Sequence, residues 1–257
     1  MSAGAGLRLA VGTFTRIPSG EVTTSPEAAR SALLLAPLAV LPLAALVALL
    51  GASVELGTPP LVAAGLALAV LAHGSRGMHL DGLADVVDGF GAGWDRERAL
   101  EVMRRGDVGP MGAIALVLVL LVQAGAIAHV LADGWRGALV VGGLVVMSRA
   151  VGAELCIRGT LPAPGSRLGA AFVGVVPPVG GVLLLLALGL VVGAVVGAAL
   201  GSGLALSLVI FGAALTYVMA AVVRNRATRT FGGVNGDVIG AGIELALTLL
   251  LVLVSVV

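Results

Sequence analysis

The sequence contains no lysine, a single cysteine, and few aromatic or charged residues. Charged side chains make up 11% of the 257 residues and aromatic ones 3%, while hydrophobic residues make up 59%. With a mean hydropathy of +1.12, this composition excludes a water-soluble domain. The lone Cys156 excludes an internal disulfide. A net charge of +1, without basic runs that contain aromatics, gives no reason to expect a nucleic-acid partner.

Seven apolar runs are long enough to cross a bilayer, whose hydrocarbon core takes about 20 helical residues. They lie at 31–51, 60–78, 109–132, 136–157, 174–200, 202–223 and 238–257. The second run is short, and Pro177–Pro178 in the fifth predict a kink or a late start. We therefore expect an all-α, polytopic membrane bundle of about seven transmembrane helices, forming a single membrane-embedded catalytic domain over residues 1–257.

The arginines are distributed unevenly between the two ends of this bundle. With seven spans, thirteen of the fifteen arginines fall on the side of the N-terminus. Arg136 falls on the other side, and Arg149 lies within a span. The positive-inside rule then predicts that the N-terminus and the polar loops are cytoplasmic and that the C-terminus is outside.

Three aspartates follow helical spacing in the segment His79–Gly89, HLDGLADVVDG. Asp81, Asp85 and Asp88 lie at i, i+4 and i+7, within roughly 60° of each other around a helix. Carboxylates this close repel one another unless a cation lies among them, and hard oxygen ligands suit Mg²⁺. A solvated acidic patch is the simpler alternative, although the neighbouring glycines favour close approach to a ligand. His79 is either a general base or a hydrogen-bond partner of this face.

A second acidic element lies at the start of the last apolar run, in Gly232–Glu244, GGVNGDVIGAGIE. Asp237 and Glu244 are seven residues apart and share one helical face. An ionisable group two turns into an apolar helix is costly and usually faces a cavity or a partner. Glu244 therefore either serves a binding site or pairs with an arginine of another helix. Asn235 and Asp237 are candidate substrate ligands, because a helix N-terminus with free N–H groups attracts anions.

Between these two elements, the segment Glu97–Gly112 begins as an amphipathic helix. Leu100 and Met103 share its apolar side, so we expect it to lie at the cytoplasmic membrane interface. Two arginines and an aspartate follow where the helix breaks, and arginine binds phosphate in bidentate fashion. This group either clamps a pyrophosphate or is an ordinary juxtamembrane charge cluster. Its members are Arg104, Arg105 and Asp107.

Four segments together resemble the cobalamin synthase family, the adenosylcobinamide-GDP ribazoletransferases. They are Phe14–Pro18 (FTRIP), His79–Phe90 (HLDGLADVVDGF), Met103–Gly112 (MRRGDVGPMG) and Gly232–Glu244. The chain departs from the family where many members have Asp-x-Arg in place of Arg105-x-Asp107, and threonine in place of Asn235.

The resemblance implies a multi-pass enzyme of the bacterial cytoplasmic (inner) membrane that acts in the last steps of vitamin B12 biosynthesis. It would use Mg²⁺ to join adenosylcobinamide-GDP to α-ribazole or its 5′-phosphate, with release of GMP. Contact with membrane lipid is expected, and whether the enzyme forms a homo-oligomer is left open.

The chemistry expected of the polar residues agrees with this reaction. A ribose hydroxyl must attack a phosphorus of a pyrophosphate, which requires charge neutralisation, alignment and removal of a proton. Mg²⁺ held by Asp81, Asp85 and Asp88 would neutralise the pyrophosphate. One of these carboxylates or His79 would take the proton, so Asp81, Asp85 and His79 are the catalytic candidates.

Two other functions are compatible with parts of the sequence. A CDP-alcohol phosphotransferase of lipid synthesis performs the same kind of displacement, and its motif begins Asp-x₂-Asp-Gly-x₂-Ala-Arg. Asp85–Ala92 matches that motif until Gly93 stands in place of arginine. A transporter would need charges near the membrane midplane and inverted repeats, whereas the charges here collect in loops.

Overall fold

The computed structural model describes residues 3–22, 24–93 and 95–257 and is built of α-helices. The helices up to Leu155 are α1 (Ala3–Phe14), α2 (Pro26–Ala39), α3 (Leu41–Gly51), α4 (Pro60–Gly74), α5 (Met78–Gly91), α6 (Arg96–Arg104), α7 (Pro110–Leu131), α8 (Trp135–Ser148) and α9 (Val151–Leu155). The remaining helices are α10 (Arg167–Phe172), α11 (Pro178–Leu200), α12 (Gly203–Phe231) and α13 (Gly236–Val254). A 3₁₀ turn, Ala52–Leu56, follows α3, and the described residues contain only isolated β-bridges instead of strands.

Six helical segments of the described chain are long and apolar enough to cross a membrane. They are Pro26–Leu56, Pro110–Leu131, Trp135–Leu155, Pro178–Leu200, Gly203–Phe231 and Gly236–Val254. The expectation of an all-α polytopic membrane protein is confirmed. The fifth span starts late, at Pro178, because Pro177 precedes its first turn.

The second expected span, 60–78, corresponds to α4, which has 15 residues and meets α5 at an angle of 86°. Pro60 at the start of α4 lines the same cleft as the turn between α7 and α8. At its other end, the Gly74 carbonyl accepts a hydrogen bond from the backbone N–H of Arg16 (2.6 Å). The α4 helix therefore connects the two ends of the bundle, and α5 turns away from it at nearly a right angle.

The sixth expected span, 202–223, is shorter than the helix that contains it. The α12 helix continues to Phe231, so residues 224–231, which lie between the expected spans 202–223 and 238–257, are helical and not part of a loop. Packing keeps this polar end helical. The Phe231 ring stacks on that of Phe90 with centroids 5.0 Å apart, and the Arg226 guanidinium lies 4.5 Å from the Phe90 ring centroid.

The crossing of α5 and α13 depends on two glycines. A Cβ at Gly82 would lie 2.6 Å from the Asp237 carbonyl oxygen, and one at Gly240 would lie 2.9 Å from that of Met78. Small residues allow membrane helices to approach this closely. The two helix backbones are therefore in direct contact, which brings the aspartates of α5 beside the first turn of α13.

The amphipathic helix expected after Glu97 is confirmed as α6. Asp95 caps its first turn by accepting the N–H groups of Glu97 and Arg98. Met103 is buried and Leu100 is half-buried, as their shared face predicts. This face holds α6 across the end of the bundle, next to the C-terminal end of α5.

Candidate active site

The α5 helix presents its three aspartates at different depths. Asp81 is exposed, Asp85 is half-buried and Asp88 is only 8% exposed. The charges of Asp81, Asp88 and Asp237 all act on the Asp85 carboxylate. Asp85 is thus the centre of a concentrated negative charge at the crossing of α5 and α13.

Asp88 has a structural role that its spacing does not predict. Its two carboxylate oxygens accept the backbone N–H groups of Gly109 (2.7 Å) and Gly112 (2.9 Å), which belong to the start of α7. Gly109 is the N-cap of α7 and has no side chain to satisfy these donors. Asp88 therefore caps α7 from a neighbouring helix.

This cap gives Asp88 partners of its own, while the expected metal site of Asp81, Asp85 and Asp88 stays a prediction. Within the described residues, no three His, Cys, Asp or Glu side chains are grouped so that they could hold an ion together. Both Asp88 oxygens accept hydrogen bonds at the start of α7, whereas Asp81 is exposed.

Asp237 is the acidic side chain that the fold adds to Asp81 and Asp85. The amide of Asn235 donates to Asp237 Oδ2 (2.7 Å), and its Oδ1 accepts the N–H of Val238 (3.0 Å). Asn235 is therefore the N-cap of α13 and also orients the Asp237 carboxylate. The sequence suggested both residues as substrate ligands, and the structure places them together beside the aspartates of α5.

Glu244 belongs to a buried polar group below this crossing. Gln123 donates to Glu244 Oε2 (3.0 Å), and His79 Nδ1 lies 3.9 Å from Glu244 Oε1. The charge of Arg149, which is 1% exposed, also acts on Glu244. Of the two interpretations left open for Glu244, these contacts favour pairing within the protein. His79 lies between this group and the open side of the crossing.

The two arginines expected to form one clamp face different surroundings. The Arg104 guanidinium donates to the Pro164 carbonyl (3.2 Å) and lines a cleft together with Asn235 and Asp237. Arg105 instead donates to Glu101 (2.9 Å), a hydrogen bond that raises the pKa of its guanidinium.

Asp107 lies on the Arg105 side of α6. It is exposed and lines a second cleft with Arg105 and Asp88, at the start of α7. Of the group Arg104, Arg105 and Asp107, the structure thus brings only Arg104 to Asp237.

A cavity of about 380 Å³ opens beside the carboxylates of Asp81 and Asp237. Its wall includes Arg167 of α10, a residue that sequence reasoning did not select. The sequence held one signal for this cavity, the FTRIP segment, because its first residue, Phe14, lines the same cavity as Arg167.

The residues at the crossing have the right chemistry for Mg²⁺ bound together with phosphate. Asp81, Asp85 and Asp237 offer hard carboxylate oxygens, and no cysteine or unpaired histidine lies among them in the described chain. Mg²⁺ is commonly bound by one or two carboxylates together with substrate phosphates and water. The donor set therefore fits an ion that arrives with a pyrophosphate better than one enclosed by protein.

Known proteins resemble this chain over most of its length. Residues 6–255 match the family described as cobalamin-5-phosphate synthase. A relative from Nocardioides sp., named adenosylcobinamide-GDP ribazoletransferase, is 42% identical over 93% of both chains. Relatives of the same name from Frankia casuarinae and Chlorobium phaeobacteroides are 35% and 36% identical, over 76% and 93% of this chain and 72% and 92% of their own. No solved structure matches the chain.

Proposed function

The chain belongs to the cobalamin-5-phosphate synthase family, and we propose that the crossing of α5 and α13 is the site of this family's reaction. The protein is a membrane enzyme that joins adenosylcobinamide-GDP to α-ribazole or its 5′-phosphate. The product is adenosylcobalamin or its 5′-phosphate. The observation that carries the assignment of the site is the meeting of Asp81, Asp85 and Asp237 where two helix backbones touch.

The reaction forms one phosphorus–oxygen bond and breaks another. A ribose hydroxyl of the acceptor attacks the phosphorus attached to the cobinamide, and GMP leaves with the oxygen that bridged the two phosphates. The hydroxyl proton passes to a carboxylate, for which Asp85 and Asp81 are the candidates. His79 is a weaker candidate, since it is 4% exposed and faces Glu244.

Positioning of the pyrophosphate requires positive groups that face the same space. Arg104 is suited to this role because it lines the cleft of Asp237 and carries a planar, phosphate-binding guanidinium. Asn235 supports the site by holding the Asp237 carboxylate in place. Arg105 and Asp107 lie on the other side of α6 and would act only on a more distant part of the nucleotide.

Mg²⁺ remains part of the proposal. One or two of the carboxylates of Asp81, Asp85 and Asp237 would hold it together with phosphate oxygens and water, and it would neutralise charge on the pyrophosphate. Support comes from the like charges gathered around Asp85, which a cation would balance.

The location of the site in the cell is also proposed. We infer that the protein resides in the bacterial cytoplasmic membrane, in contact with its lipids, with the site on the cytoplasmic side. The support is the arginine distribution, which places Arg104 and the loops near Asp237 on the positive side of the bundle.

Release of GMP by the purified protein tests the proposed function. In detergent solution, the protein should release GMP from adenosylcobinamide-GDP only when α-ribazole is present, and the corrinoid product should contain the ribazole. Release of CMP from a CDP-lipid would instead indicate a CDP-alcohol phosphotransferase. GMP release at the same rate without α-ribazole would contradict group transfer.

A further inference from the structure

We propose that the cavity beside Asp81 and Asp237 binds α-ribazole, with its dimethylbenzimidazole base against the apolar wall. This inference rests on the proposed function, because the ligand is the acceptor of that reaction. It assigns a role in acceptor binding to Phe14, the first residue of the FTRIP segment, and to the preceding Thr13, since both form part of the cavity wall.

The size of the cavity selects between the two substrates. Its volume of about 380 Å³ is near the lower end of ligand pockets, which hold roughly 300–1,000 Å³. A nucleoside with a bicyclic base fits such a space. A complete corrinoid carrying a nucleoside diphosphate is far larger and must bind over an open surface.

The chemistry of the wall selects between guanine and dimethylbenzimidazole, the bases of the two nucleosides that take part in the transfer. Phe14, Phe172 and Ile239 are each 4% exposed, and together with Leu168 they give the cavity a largely apolar wall. Guanine would have to place several hydrogen-bond donors and acceptors against these four apolar side chains, which is costly because they offer no partners. The dimethylbenzimidazole of α-ribazole has no N–H and carries two methyl groups, so apolar burial favours it.

The FTRIP segment and the two residues before it are held in place by hydrogen bonds to the bend between α4 and α5. The Arg76 guanidinium donates to the carbonyls of Gly12 (2.9 Å) and Thr13 (3.4 Å), while the Arg16 N–H donates to Gly74 (2.6 Å). The backbone of Arg76 adopts a positive φ of 59°, a conformation that residues other than glycine rarely take. The bend thus fixes the position of Phe14, which lines the cavity, relative to α5, which carries the carboxylates.

The position of the cavity also satisfies the geometry of the reaction. Asp81 and Asp237 lie in its wall, so a nucleoside bound with its base against Phe14 and Phe172 keeps its ribose within the reach of these carboxylates. The attacking hydroxyl and the groups that receive its proton then belong to the same space.

Kinetics with a cavity variant test this inference. Leu168→Ala removes apolar contact from the partly exposed α10 helix and should raise KM for α-ribazole on the order of tenfold. KM for adenosylcobinamide-GDP should stay within twofold of wild type. Leu161→Ala is the matched control, because Leu161 is 62% exposed and lies outside this cavity. Equal effects of Leu168→Ala on both substrates, or no effect, would overturn the assignment.

A second measurement uses the unaltered protein and does not depend on folding of a variant. Photolysis with an azidobenzimidazole riboside should label the segments 13–14 or 166–172, and excess α-ribazole should prevent the labelling. Protected labelling only elsewhere would overturn the inference. Wild-type transfer activity is measured first on the same preparation, so a failure of the proposed function is seen separately from a failure of this assignment.

Discussion

Replacing Asp88 with asparagine should destabilise the protein, because this carboxylate holds the start of α7. Its oxygens accept the N–H groups of Gly109 and Gly112 at 2.7 and 2.9 Å. In asparagine one oxygen becomes an NH₂ group that faces a backbone N–H, so a charge-assisted hydrogen bond worth about 1.5–3 kcal/mol is lost. Loss of negative charge at a helix N-terminus costs about 0.3–1 kcal/mol more. The free energy of unfolding should fall by about 2–4 kcal/mol.

Thermal unfolding in one detergent, with Asp81→Asn as the control, measures this effect. Since 1 kcal/mol changes Tm by about 2–4 °C in a protein of this size, Asp88→Asn should lose on the order of 5–15 °C. Asp81 is exposed and its carboxylate accepts no hydrogen bond from any described residue, so its variant should unfold near the wild-type Tm. Equal Tm values for the two variants would refute the capping role of Asp88.

Arg104→Ala should raise KM for adenosylcobinamide-GDP by roughly tenfold or more. Its effect should exceed that of Arg105→Ala, because Arg104 shares a cleft with Asp237 and Arg105 does not. Steady-state kinetics with the donor varied would contradict this if both variants behaved alike. Arg167→Gln should raise KM for α-ribazole 5′-phosphate but leave that for α-ribazole unchanged, because the cavity wall contains this one arginine within the described chain. A parallel rise for both acceptors would count against phosphate binding by Arg167. A C-terminal reporter active only in the cytoplasm should remain silent, since seven crossings from a cytoplasmic N-terminus end outside; strong activity would mean an even number of crossings.

The spans could be predicted because the bilayer imposes a simple length and polarity requirement. Runs such as 109–132 and 238–257 therefore agree closely with α7 and α13. The end of α12 could not be predicted in this way. Its last turns carry arginines and leave the apolar pattern, and they stay helical because of contacts between Phe231 and Phe90, which are distant in sequence.

The site was only partly predictable for a related reason. Helical spacing correctly indicates that Asp81 and Asp85 share a face, but it gives no information about which helix lies opposite. The partner of Asp88 depends on the position of Gly109, whose lack of a capping side chain was visible in the sequence. The addition of Asp237 depends on the contact between Gly82 and the backbone of α13. No local pattern reports that contact.

The central claim is that the carboxylates at the crossing of α5 and α13 carry out the transfer. Its most direct test is the rate of α-ribazole-dependent GMP release by Asp85→Asn, measured across a Mg²⁺ titration on protein whose Tm matches wild type. We predict a loss of turnover of roughly 10²-fold or more and a weakened response to Mg²⁺, because Asp85 lies at the centre of the acidic group. Turnover near the wild-type rate with an unchanged Mg²⁺ response would contradict the account.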